Sequence, residues 1–201
     1  DQLVYDEADV GFYVGLSATQ DHRYIVISAH DHQTAEVRLV DAMDPGAPPV
    51  LIAERETEHE YSVDHHDGRL IILTNSGGAE DFRIVEALAD APGRENWRDI
   101  EAHREGRLIL SIVAFARHLV RLEREEGLPR IVIREFASGE EHAIAFDEEA
   151  YSLGMSAGYE FDTNTLRFTY SSMTTPAQVF DYDMESRERT LRKTQEGPSG
   201  H

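Results

Sequence analysis

Apolar and polar residues alternate along this chain in short runs of about 4–8 residues, the period expected of half-buried β-strands. Each run is closed by turn chemistry. Phe12–Ala18, Arg23–Ala29, Ala35–Val40 and Val50–Ala53 form one set of strand-like runs, parted by Thr19-Gln20-Asp21-His22, His30–Gln33 and the proline-rich loop Asp41–Pro49. His59–Asp64, Arg69–Thr74, Phe82–Ala87 and Trp97–Ile100 form a second set, with Asp67-Gly68 as a strong hairpin turn. Ile109–Phe115, His118–Glu123, Arg130–Phe136 and His142–Ala145 form a third. Tyr151–Ser156, Thr165–Ser171, Gln178–Asp183 and Glu188–Arg192 form the last. Leu108–Arg124 has the propensity of a helix, but LILSIVAF and HLVRLER alternate, so strands are predicted there.

The first strands of the four sets centre near Leu16, Ser62, Ile112 and Leu153, a period of about 40–50 residues with four strands in each period. That is the pattern of a β-propeller, in which each blade buries its two apolar faces only against its neighbours. The expected architecture is all-β: a propeller fragment of about four four-stranded antiparallel blades, at about residues 13–56, 57–101, 102–148 and 149–195. Residues 1–12 are expected to end a preceding blade and 196–201 to begin a linker. A chain that starts within a blade and stops at Pro198-Ser199-Gly200-His201 is expected to be part of a larger propeller.

Composition narrows the partners. Apolar residues make up 40% of the chain, enough for a packed core. Formal charge is −20, from 39 acidic and 19 basic residues, a field that repels nucleic acid and anionic membranes and draws in cationic ligands. No apolar run reaches the roughly 18 residues of a membrane-spanning helix, and Asp1–Val10 lacks a secretory signal pattern. Cysteine is absent, which suits the cytoplasm.

Three groups of residues invite chemistry. Gly154-Met155-Ser156-Ala157-Gly158 matches G-x-S-x-G, but that motif works on a strand-to-helix turn, and a turn and a further strand follow here. The only histidine after Ser156 is His201, the last residue. His30-Asp31-His32 and Asp64-His65-His66-Asp67 hold ligand-type side chains, yet both fall at expected blade turns, where Asp and His are common. Glu54–Glu60, Glu80-Asp81 and Asp147–Glu149 are acidic enough to focus a field on basic peptides, or simply to solvate a rim. Trp97 and the tyrosines read as blade packing. No residue is assigned a catalytic, cofactor-binding or metal-ligating role, and no cofactor is expected.

The segment FDTNTLRFTYSSMTTPAQVFDYDMESRERTLRKTQEGPSGH, residues 161–201, resembles the end of the propeller in oligopeptidase B-type members of the prolyl oligopeptidase family of serine peptidases. AEVRLVDAMDP, EYSVDHHDGRLIILTNSGGAEDF and HAIAFDEEAY, beginning at Ala35, Glu60 and His142, agree with the same family. The resemblance implies a seven-bladed parent propeller followed by an α/β-hydrolase domain that carries the Ser, Asp and His. It implies a propeller that caps the active site, admits short peptides and serves cleavage after Arg or Lys. The position matching Ser156 is not the family's nucleophile. The partners so implied are the catalytic domain of the same polypeptide and short basic peptides. The chain alone is expected to be inert and, with blade faces exposed, to self-associate. The alternatives are a free-standing propeller that binds proteins and, more remotely, a metal-dependent hydrolase built on the His/Asp turns.

Overall fold

The computed structural model describes residues 2–195. Sixteen strands make four antiparallel four-stranded sheets, each a meander in chain order, and no α-helix occurs among the described residues. Connections this short permit nothing but antiparallel neighbours. The chain divides into two compact units, Asp1–Glu105 and Gly106–His201, each holding two sheets.

The first unit contains β1 (Tyr13–Ala18), β2 (Tyr24–His30), β3 (Ala35–Asp41) and β4 (Val50–Leu51) in one sheet. Its second sheet holds β5 (Tyr61–His66), β6 (Arg69–Thr74), β7 (Arg83–Leu88) and β8 (Arg98–Glu101). A single turn of 3-10 helix, Arg94–Asn96, precedes β8. The β5–β6 hairpin turns on Asp67 and Gly68, both at positive φ (47° and 76°), a geometry that glycine accepts without penalty. Val26, Val37 and Leu39 of the first sheet pack against Tyr61, Leu70, Ile72, Val85 and Trp97.

The second unit contains β9 (Arg107–Ala114), β10 (His118–Glu125), β11 (Leu128–Glu135) and β12 (Glu141–Ala143). Its other sheet holds β13 (Tyr151–Ser156), β14 (Thr165–Ser172), β15 (Gln178–Asp183) and β16 (Arg189–Thr194). Val120, Ile131, Ile133 and Ile144 meet Leu166, Phe168, Tyr170, Tyr182 and Met184 in its core. The stretch with helical propensity, Leu108–Arg124, is strand on both sides of a turn, because the partner strands supply the ladder that propensity ignores.

Three local differences from the sequence reading have physical causes. Residues 2–11 form no strand. Glu7 and Asp9 accept the N–H groups of Asp9 and Gly11, which diverts this backbone into turns. The segment is instead tied to the first sheet through Arg55, which binds Glu7 at 2.6 Å and lies over the Phe12 ring, and through Arg38 over Tyr5. β4 stops at Leu51, not Ala53, because the Tyr61 hydroxyl takes the N–H and C=O of Ala53 out of the ladder. β12 ends at Ala143 rather than Ala145, although Ile144 still donates to Ile131. The expected linker, residues 196–201, lies outside the described residues.

Candidate functional site

β13 carries the G-x-S-x-G motif as an ordinary strand. Ser156 is its exposed last residue and pairs in register with Arg167 of β14. Each glycine of the motif has a structural reason. A Cβ on Gly154 would stand 2.5 Å from the Thr169 hydroxyl directly across the ladder. Gly158 sits at φ +65° in the turn that leaves β13. No helix follows and no histidine lines the surface around Ser156 among the described residues, so nothing there activates a hydroxyl.

Ser156 does lie on an open cleft of about 350 Å³, with Tyr159, Glu160, Thr163, Arg167 and Asp181. Arg167 grips Asp181 with two hydrogen bonds, 2.7 and 3.0 Å, and Arg192 of β16 adds a third at 2.6 Å. The Arg167 guanidinium beside Asp181, followed by Arg192, holds its carboxyl below the usual range. Arg189, on the same strand as Arg192, turns to the other face, where it donates to the Ala145 carbonyl and lies over the Phe146 ring.

A second cleft, about 500 Å³, belongs to the first unit and is lined by Glu54, Arg55, Glu56, Arg94 and Glu95 among others. Arg94 donates to Glu56 at 2.6 Å and also to His59 Nδ1. Because guanidinium can only donate, His59 carries its proton on Nε2 and gives it to the Thr74 hydroxyl at 2.9 Å. Burial and then the Arg94 charge lower His59 to about 4, so the ring stays neutral where it stacks on Tyr61. The Tyr61 hydroxyl, raised to about 12 by burial, accepts from Val37 at 2.8 Å and donates to Ala53 at 3.0 Å.

The His/Asp turns are spread rather than gathered. Asp31 accepts the N–H groups of Gln33 and Thr34, an Asx-turn. Asp64 caps the N–H of Gln20, and His65 pairs with Asp21, which also receives the Thr19 hydroxyl; together they lock the β1–β2 turn to β5. The acidic stretches divide likewise. Glu56 is held by Arg94 and Glu148 accepts from Thr174 and Thr175, while Glu54 and Glu80 are exposed. Trp97 packs as expected, its indole N–H on the Pro92 carbonyl at 2.8 Å.

Sequence reasoning missed one buried network in the second unit. Arg121 donates to Glu123 at 2.7 Å and to Glu141 at 2.8 and 3.1 Å, with Glu123 only 1% exposed. The two-residue spacing Arg121–Glu123 on one strand face was the available signal, since such neighbours share a side of the sheet.

With this geometry in hand, likeness to known proteins identifies the family. Residues 1–195 match the family described as prolyl oligopeptidase, N-terminal beta-propeller domain. The chain belongs to that family, and its four sheets are propeller blades. It is 38% identical to dipeptidyl aminopeptidase BI of Pseudoxanthomonas mexicana, over 98% of this chain and 27% of that protein. Oligopeptidase B of Leishmania major superposes with a TM-score of 0.89 at 27% identity, over 98% of this chain and 29% of that one. Oligopeptidase B of Trypanosoma brucei, in a closed form with covalently bound antipain, gives 0.88 at 26%, over 96% and 29%. The chain thus spans less than a third of the length of these relatives.

Proposed function

We propose that this chain is the non-catalytic propeller part of a serine peptidase related to oligopeptidase B, and that it gates and orients short peptides over an α/β-hydrolase domain of the same polypeptide. One observation carries the reading: a family match along residues 1–195 with proteins of which this chain spans about a quarter. The blades are proposed at about 13–56, 57–101, 102–148 and 149–195, within a seven-bladed parent, and the parent enzyme is proposed to act in the cytoplasm. The excess of carboxylates, net −20, supports recruitment of peptides bearing Arg or Lys and cleavage after those residues. β1 supports self-association of the isolated chain. It is an edge strand whose Tyr13, Val14 and Leu16 are 68%, 50% and 74% exposed, whereas the edge strand β16 is guarded by Arg189, Arg192 and Lys193.

A second reading is favoured by the 38% identity to a dipeptidyl aminopeptidase, whose name denotes release of dipeptides from a free N-terminus. The experiment uses the longest polypeptide encoding this chain and two fluorogenic peptides ending in Arg, one N-blocked and one with a free amine. Cleavage of the blocked peptide supports the endopeptidase; cleavage of the free dipeptide alone supports the second reading. A reading frame that ends at His201 would leave a free-standing binding propeller. Turnover by residues 1–201 alone, abolished by Ser156→Ala, would overturn the non-catalytic role.

A further inference from the structure

The chain leaves the last sheet at the end that carries the β14–β15 hairpin. Tyr170 of β14 stands opposite Gln178 of β15 there, and Thr194 of β16 stands opposite the same Gln178. Gln195 then donates its N–H to the Ala177 carbonyl at 2.7 Å, so the last described residue is bonded to the hairpin itself. Residues 196–201 can span at most about 20 Å, so a domain joined through them begins close to this hairpin.

The tip of this hairpin differs from its counterparts. In the other three sheets the connection between the second and third strands exposes polar residues or glycine: His32 and Gln33, then Gly77, Gly78 and Glu80, then Glu126 and Gly127. Here Met173 stands 97% exposed, with Pro176 exposed beside it. A single exposed apolar side chain is ordinary on any surface. Met173 is set apart by its support as well as its place. The Ser172 hydroxyl accepts the N–H groups of Thr174 and Thr175 at 3.1 and 2.9 Å, and the Ser172 N–H goes to the Thr175 carbonyl at 3.0 Å. Glu148, from the connection between β12 and β13, receives the Thr175 hydroxyl at 2.6 Å and the Thr174 hydroxyl at 3.3 Å. Hydrogen bonds from Ser172 and then Thr175 hold that carboxyl below its usual range. A loop fixed in this way has little freedom left to lose on docking, and methionine, unbranched and adaptable, fills an irregular apolar recess well.

Resting on the reading above that a catalytic domain follows the propeller, we propose that the β14–β15 hairpin is a docking knob for that domain, with Met173 seated in an apolar recess of it. The path of the chain singles out this occupant, because the linker delivers the domain to the same end of the sheet as the hairpin. One apolar anchor is too small a contact to join two separate proteins. A partner tethered by a short linker meets it at high effective concentration, where a contact of this size suffices to fix an orientation. The hairpin needs no rearrangement for this, since its backbone is already set by Ser172 and Glu148.

The test oxidises the longest polypeptide encoding this chain with dilute hydrogen peroxide and reads sulfoxide formation at each methionine by mass spectrometry. Met43, 81% exposed in the β3–β4 loop at the opposite end of its own sheet from where β4 leaves, is the internal reference. Oxidation follows exposure, so a seated Met173 should react at least ~10-fold more slowly than Met43. Equal rates overturn the proposal. Met173→Glu, at an exposed position, leaves the sheet intact and should free the hairpin, read as a larger radius of gyration in solution scattering; Met173→Leu should not. An unchanged radius with Met173→Glu also overturns it. The two readings fail separately. Peptide cleavage with Met173 oxidised as fast as Met43 sinks the docking knob alone. A protected Met173 in a polypeptide that cleaves neither fluorogenic peptide sinks the peptidase reading and keeps the knob.

Discussion

The two units use the same meander twice, yet they join their paired sheets by different chemistry. In the first unit hydrogen bonds cross an apolar seam. Tyr61 reaches across from β5 to serve the backbone of Val37 and Ala53, and Asp64 and His65 reach to the β1–β2 turn. In the second unit aromatic rings meet aliphatic side chains across the seam. Phe146 stacks on Tyr170 at 5.0 Å and meets Phe168 edge-on at 5.7 Å, beside Val120, Ile131 and Ile133 of the other sheet. Its polar bridges include Arg117 to Asp162 at the surface, and His142 to the Tyr182 hydroxyl at 2.8 Å further in. The hydrogen bonds of the first seam depend on every partner being present, since a buried donor left alone costs a full desolvation penalty. The apolar contacts of the second are non-directional and are lost in proportion to the volume removed.

The largest test of this contrast is Phe168→Ala. Phe168 is fully buried, and removing its ring should destabilise the second unit by about 3–5 kcal/mol in a urea melt. A value near 1 kcal/mol would mean the core collapses around the hole. Acid should separate the seams next. His59 is lowered from 6.5 to about 4, by burial first and Arg94 second, with Glu56 opposing. As pH falls below 6.5 the unfolded chain takes up the proton and the folded chain does not. Stability present above pH 6.5 is therefore lost as pH falls to about 4, by at most about 3 kcal/mol at 1.36 kcal/mol per unit. His59→Gln should flatten that part of the profile. His118 and His142 are lowered in the same direction and contribute to acid sensitivity in the second unit. Tyr61→Phe should cost about 1–3 kcal/mol, because the Val37 N–H loses its acceptor while no apolar contact is removed. A neutral outcome would show that apolar contacts alone hold the seam of the first unit. The smallest effect is expected from Arg117→Ala. Its pair with Asp162 has side chains 50% and 75% exposed and should contribute about 0–1 kcal/mol.

Much of the fold was legible because strands of this kind announce themselves locally. Arg69–Thr74, Tyr151–Ser156 and Gln178–Asp183 begin and end where alternation and turn residues place them. The hairpin at Asp67-Gly68 followed from turn chemistry alone. The glycines of the motif around Ser156 answer to Thr169 across the ladder and to a left-handed turn. The pattern could not show which polar residues go inside. Arg121 and Glu123 look like the solvent side of an alternating strand, yet both are buried, because each satisfies the other and Glu141. Nor could it show that His142 of β12 meets the Tyr182 hydroxyl of β15.

By itself the sequence determined the strands, their order, the turns and the family, since period-2 alternation, β-branched content and turn residues act over a few neighbours. Tertiary structure alone decided the register, and with it every pairing across strands. A shift of one residue would turn His118 and His142 to the opposite face and expose Val120 and Ile133. Burial of the apolar face fixes that register, and the register then gathers side chains that the chain itself keeps more than a dozen residues apart.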